Sequence, residues 1–200
     1  MATVITDIND LYLTKSYTYA DYLTWDFYER TELHNGKMVI LDNTGTLHQI
    51  IFGRLLLLLH HYTKTKKLFL YQAPFDVRIF NQSNTISDDN TFTVVQPDFS
   101  VFDSETKLEE RGGIDAPLLA IEILSPLSKN YDNELKHKFE IYEKAGVKEY
   151  WIVEPFQKSI LIYTLQNNKY IGLKPIAEEG FVHSPLFPKL SFNVEEIFRD

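Results

Sequence analysis

LLAIEILSP, residues 118–126, has the apolar run of a buried β-strand, broken at Glu122 by a carboxylate. Side chains alternate along a strand. Leu119, Ile121 and Ile123 therefore fill one face, while Ala120, Glu122 and Leu124 share the other. An unpaired ionised carboxylate is expensive to bury, and the usual escapes are a shifted pKa, a cationic partner or a metal ion. A lone Glu in such a strand is as often a paired or edge residue as a functional one, so its neighbours decide the reading.

Upstream, VVQPDFSVFD (94–103) reads as extended, because Pro97 disfavours helix at the residue before it, and Asp98 follows directly. Taken alone, Asp98 is a turn or cap residue. Carried on a strand beside that of Glu122, it makes a pair of mutually repelling carboxylates, an oxygen donor set that suits Mg²⁺. Downstream, NELKHKFEIYEKAG (133–146) is the clearest helix, with Gly146 as its expected C-cap. Leu135, Lys138, Phe139 and Tyr142 stand at i, i+3, i+4 and i+7, so Lys138 belongs to the stripe that should meet the sheet. Lys136 is turned away by about 100° per residue and is the reserve candidate. Snorkelling, or an i,i+4 pair with Glu134, accounts for Lys138 structurally; an ammonium directed at Asp98 and Glu122 accounts for it functionally.

The same reading extends outward. TYADYLTWDFYER (18–30) has apolar residues at helical intervals and predicts a first helix after a flexible tail over 1–16. TELHNGKMVILD (31–42) predicts a hairpin about Asn35-Gly36. Residues 47–62, LHQIIFGRLLLLLHHY, are too long and continuous for a strand and predict a largely buried helix. LFLYQ (68–72), FDVRIF (75–80), KEYWIVEP, KSILIYTLQ and NKYIGLKPI predict strands, and LSFNVEEIF closes the chain. NQSNTISDDN (81–90) reads as a surface loop, and the polar residues around ETKLEERGG as a connection. No repeat or linker divides the chain, so residues 1–200 are expected to form one α+β domain with a central mixed sheet.

Composition narrows the function classes. At 44% hydrophobic and 24% charged residues, the chain has the make-up of a globular protein. It has no cysteine, which excludes disulfides and thiolate zinc sites and fits a cytoplasmic setting. There is no leader-like start, and LLLLL (55–59) is far too short to span a bilayer, so no membrane association is expected. A net charge of −8 argues against indiscriminate nucleic-acid binding but leaves room for a local basic groove. His60-His61 and Lys64, Lys66 and Lys67 offer phosphate contacts, although a solvated helix end accounts for them equally well. Ser125 and Ser128, either side of Pro126, read as turn residues.

The succession Pro-Asp, strand, Glu on a second strand, then a sheet-facing Lys resembles the PD-(D/E)XK nuclease superfamily. ERTELHNGKMVI, TLHQIIFGRL, QPDFSVFD, AIEILSP and KFEIYEKAGVKEYWIVEP resemble, in order, its Uma2 family of proposed restriction endonucleases, over residues 18–197. The resemblance implies a restriction-endonuclease-like core, α/β/α-like, with its sheet flanked by helices. It implies that Asp98 and Glu122 bind Mg²⁺, with Mn²⁺ as a substitute, and that Glu32, four before Gly36, adds a metal contact. It makes Lys138 the catalytic lysine, with Lys136 and His48 as accessory candidates, and DNA the expected partner of a chain that pairs as a homodimer. The chain departs from the superfamily at Leu124, where Glu-x-Lys would place lysine. The alternatives are a nuclease fold that has lost turnover and serves as a binding or regulatory module, or a self-associating domain in which Glu122 is merely paired to lysine. Loops 81–92 and 104–116 are the expected carriers of any specificity.

Overall fold

The computed structural model describes residues 3–12, 14–80, 87–125, 131–177 and 179–199, with the side chains of 131–134 outside it. In chain order the elements are α1 (Tyr19–Tyr22), β1 (Thr31–His34), β2 (Lys37–Ile40), α2 (Thr46–Thr63), β3 (Phe69–Gln72), β4 (Val77–Ile79), β5 (Thr93–Val95), β6 (Phe99–Phe102), β7 (Leu108–Glu109), β8 (Gly112–Ile114), β9 (Leu119–Ile123) and α3 (Tyr131–Ala145). There follow β10 (Glu149–Glu154), β11 (Ser159–Gln166), β12 (Lys169–Gly172), β13 (Ile176–Ala177), β14 (Phe181–His183), β15 (Ser191–Asn193) and α4 (Glu195–Phe198). The main sheet runs β12-β11-β10-β9-β6-β3, with β13 beside β11. It is mixed: β9 and β10 are parallel, joined through α3, whereas β6 and β9 are antiparallel.

The strand alternation around Glu122 holds. Leu119, Ile121 and Ile123 pack with Ile51, Leu55 and Leu59 of α2 and with Val182, Phe192 and Ile197 from the C-terminal ribbon and helix. Ala120 and Leu124 face the other way, toward Ile141 and Tyr142 of α3. The sheet is thus covered by α2 on one side and α3 on the other, the α+β, restriction-endonuclease-like arrangement expected. Asn35 and Gly36 both take positive φ, 51° and 81°, which gives the hairpin a turn that matches strand twist, and β1 and β2 pair on either side. Gly146, at φ 87°, closes α3 with its N–H on the Tyr142 carbonyl.

Five expectations change. The stretch 94–103 is two strands in different sheets, because the chain crosses between sheets at Pro97: β5 joins a second sheet, β2-β1-β5-β4-β8-β7, and β6 the main one. The connection around ETKLEERGG contributes the β7–β8 hairpin to that second sheet. The first helix is only one turn long, since Trp25 leaves the helical path to bridge Ile5 and to pack, edge-on or tilted, against Tyr17, Tyr22 and Phe27. The same bridge and the buried Leu11 tie down much of the N-terminal stretch read as a tail. Finally, α2 buries one face, at His48, Ile51, Leu55, Leu59 and Thr63, and exposes Leu47, Ile50 and Leu57. Among the described residues, no helix is long and apolar enough to cross a membrane.

Candidate active site

Each of the three carboxylates is buried within or next to a strand. Asp98 stands at the crossing between the two sheets. Its Oδ2 accepts the backbone N–H of Ile123 at 2.7 Å and lies 3.3 Å from His48 Nε2 at the start of α2. Glu122, one residue before the end of β9, accepts at Oε1 from Tyr142 Oη (2.7 Å) and Lys138 Nζ (2.9 Å). Glu32 on β1 is fully buried; its Oε1 accepts from the Gln96 N–H (2.6 Å) and from Lys138 Nζ (3.0 Å), and its Oε2 lies 2.6 Å from His34 Nε2. Lys138 therefore bridges two carboxylates brought from different sheets, and the α3 stripe does direct it to the main sheet.

The electrostatics of the cluster divide the two glutamates. Burial pushes Glu32 up, but the Lys138 ammonium, His34 and the Gln96 N–H outweigh it and hold the carboxyl at about 2. Burial also pushes Glu122 up; Lys138 opposes this, but the charges of Asp98 and Glu32 add to burial and bring it to about 7. The difference follows from their neighbours, since Glu32 has more donors and Glu122 faces two further acids. Burial lowers Lys138, yet Glu122 and Glu32 more than reverse that, so the ammonium stays protonated far into the alkaline range. Tyr142 is pushed up by burial and by Glu122, and so remains a hydrogen-bond donor.

Asp98, Glu122, Lys138, His48 and Leu124 all line one open cavity. Glu32 lies behind Lys138 and does not line it. Lys136 is exposed on α3 and is also absent from the lining among the described residues. His60 and His61 sit toward the opposite end of α2, about 18–20 Å along its axis from His48, with the lysines beyond them; there Lys66 caps the Tyr62 carbonyl at 2.8 Å and rests over that ring. Within the loops expected to carry specificity, Asp88 pairs with Arg111 at 3.0 Å, and neither loop lines the cavity among the described residues. Residues 81–86, Ser128 and the side chain of Glu134 lie outside the described residues. Sequence reading did not single out Tyr142 as a ligand of Glu122, although the helical stripe contains it. It also missed Tyr150, Gln96 and Arg30, which line the same cavity. The Tyr150 hydroxyl is buried there with no partner among the described residues.

Among the described residues, no three His, Asp or Glu side chains form a ready-made metal cluster. The donor set nonetheless fits Mg²⁺, which uses only one or two carboxylates and keeps waters and substrate oxygens for the rest of its shell. Asp98 and Glu122 face the same cavity; burial raises Glu122 most and the Asp98 charge adds to it, and a dication between the two relieves that repulsion.

A family model described as "Putative restriction endonuclease", Uma2, matches residues 19–195. A crystal structure from Anabaena variabilis ATCC 29413, described as a putative nuclease belonging to DUF820, shares the fold at a TM-score of 0.70 and 20% identity, over 90% of this chain and 97% of that one. No curated protein matches the sequence. The family match spans both sheets, all three carboxylates and Lys138, and the chain belongs to the Uma2 family.

Proposed function

We propose that the chain is a Mg²⁺-dependent endonuclease that hydrolyses phosphodiester bonds in DNA, with Asp98 and Glu122 as metal ligands and Lys138 as the catalytic cation. The observation that carries this reading is the convergence of Asp98, Glu122 and Lys138 on one cavity of a chain whose family is described as restriction endonucleases. A bound Mg²⁺ would polarise the phosphate and lower the pKa of its water. The Ile123 N–H and His48 hold Asp98 in place, and Tyr142 does the same for Glu122. Lys138, kept protonated by its two glutamates, donates to the charge that develops on the phosphate and does not serve as a base. Glu32, buried behind it, acts by positioning this ammonium. We read residues 1–200 as one catalytic domain that works in the cytoplasm, as a homodimer when it cuts both strands.

Asp98→Asn and Glu122→Gln should each lower cleavage of supercoiled plasmid in Mg²⁺ by roughly 100-fold or more, with unchanged circular dichroism. Both should also lose Mn²⁺ binding by calorimetry. Wild-type cleavage by the Glu122→Gln protein would overturn the assignment.

One observation favours a second reading, a nuclease fold used as a binding module. Lys138 already neutralises Glu122 and Glu32 directly, and Leu124 occupies the position where Glu-x-Lys would have its lysine. That reading expects the wild-type protein to bind DNA without taking up Mn²⁺ and without cutting.

A further inference from the structure

The cavity that holds the acids is also lined by Arg30, by Thr44 and by His48 in the first turn of α2. Arg30 has no carboxylate partner among the described residues. Its Nε and one terminal nitrogen instead donate to the neutral Gln96 Oε1, at 3.3 and 2.9 Å. Gln96 has little freedom to turn: its Nε2 donates to Asp76 Oδ1 at 2.9 Å and to Tyr22 Oη at 3.3 Å, and its backbone N–H is on Glu32. The amide oxygen is therefore committed to Arg30 and holds the guanidinium by one edge. A guanidinium carries five N–H groups in a rigid fork, so the remaining ones keep the geometry that grips a phosphate.

The second set of donors is the N-terminus of α2. This 18-residue helix starts after Gly45, which has no side chain to cap it, and its first turn has no acid. Its free N–H groups and positive dipole end favour an anion. Thr44 Oγ1 accepts from Gln49 Nε2 at 2.8 Å, which leaves the hydroxyl proton to donate elsewhere. Independently, His48 in the same turn lines the cavity and has its Nδ1 buried with no partner among the described residues. Asp42 is the opposing charge on this part of the lining.

We propose that Arg30, Thr44 and the N-terminus of α2 form a phosphate subsite that grips a non-scissile phosphate of the nucleic-acid strand whose neighbouring diester lies at Asp98, Glu122 and Lys138. The subsite rests on the nuclease reading and explains how a chain of net charge −8 holds a polyanion. Gln96 is its positioning residue.

The test is fluorescence anisotropy of a labelled DNA duplex with the full chain, in Ca²⁺ instead of Mg²⁺, across a KCl series, with a gel confirming that the duplex stays intact. Losing one phosphate contact flattens the slope of log K against log salt by about one. Arg30→Ala should show that change together with weaker binding. Arg30→Lys should keep the slope and lose part of the affinity, because a point charge replaces the fork. Asp42→Asn reverses the sign: tighter binding supports the subsite and weaker binding overturns it. A wild-type slope for Arg30→Ala, beside clear salt-dependent binding by the wild type, overturns the subsite and leaves the nuclease reading standing. No salt-dependent binding by the wild type overturns both.

Discussion

Lys138 is the residue on which the site depends. Its ammonium lies 3.0 Å from Glu32 and 2.9 Å from Glu122, and all three groups are largely shielded from water. Breaking a buried pair costs far more than the pair contributes, because the surviving charge is left without a partner. Lys138→Met keeps most of the side-chain volume and should destabilise the protein by about 3–5 kcal/mol in urea unfolding. Adding Glu122→Gln to that variant should recover part of the loss, and Glu32→Gln more, since Glu32 is the fully buried acid held at about 2. A loss under about 1 kcal/mol would mean that Lys138 is held by packing alone. A lysine within an apolar helical stripe was visible in the sequence as an anomaly. Its second partner was not, because Glu32 lies in another sheet and nothing local links the two.

At the scale of elements, patterns with strong contrast were legible and uniform ones were not. The hairpin followed from Asn35-Gly36, and α3 from its stripe and Gly146, because each places a special residue where the backbone requires it. In α2 the run LLLLL carries no periodic contrast, so its burial could not be assigned to one face. The structure buries Leu55 and Leu59 completely and leaves Leu57 71% exposed. Leu55→Ala should therefore cost about 2–5 kcal/mol by denaturant unfolding, whereas Leu57→Ala should stay within about 0.5 kcal/mol. Equal losses would mean that the outer face is also covered. Pro97 was read correctly as a break from helix, but the change of sheet it marks depends on which strands await on each side. That long-range fact leaves no mark in VVQPDFSVFD.

For the molecule as a whole, two sheets and a helix supply the charges of one cluster: Asp98 and Glu122 come with the main sheet, Glu32 with the second, and Lys138 from the helix covering the first. Stability and ligand binding are consequently coupled through protons. Glu122 is raised from 4.5 to about 7 on folding, so the folded chain holds a proton that the unfolded chain has released between those values. Its contribution is full below pH 4.5 and is lost as the pH rises through about 7, on the order of 3 kcal/mol in all. Glu32 acts in the opposite sense: its contribution is present above pH 4.5 and is lost as the pH falls toward about 2. A metal ion bound to ionised Glu122 competes with that proton, so Mn²⁺ should bind about tenfold more weakly for each pH unit below 7. At pH 8, where the metal-free protein has lost the Glu122 contribution, saturating Mn²⁺ should raise the melting temperature most, and at pH 5 least. Glu122→Gln removes the titrating group and the metal ligand together, so it should flatten the metal-free stability profile between pH 5 and 8 and abolish the Mn²⁺ shift at every pH. If that variant kept the wild-type profile, the proton would belong to another group, and the assignment of Glu122 as the shared seat of proton and metal would be wrong.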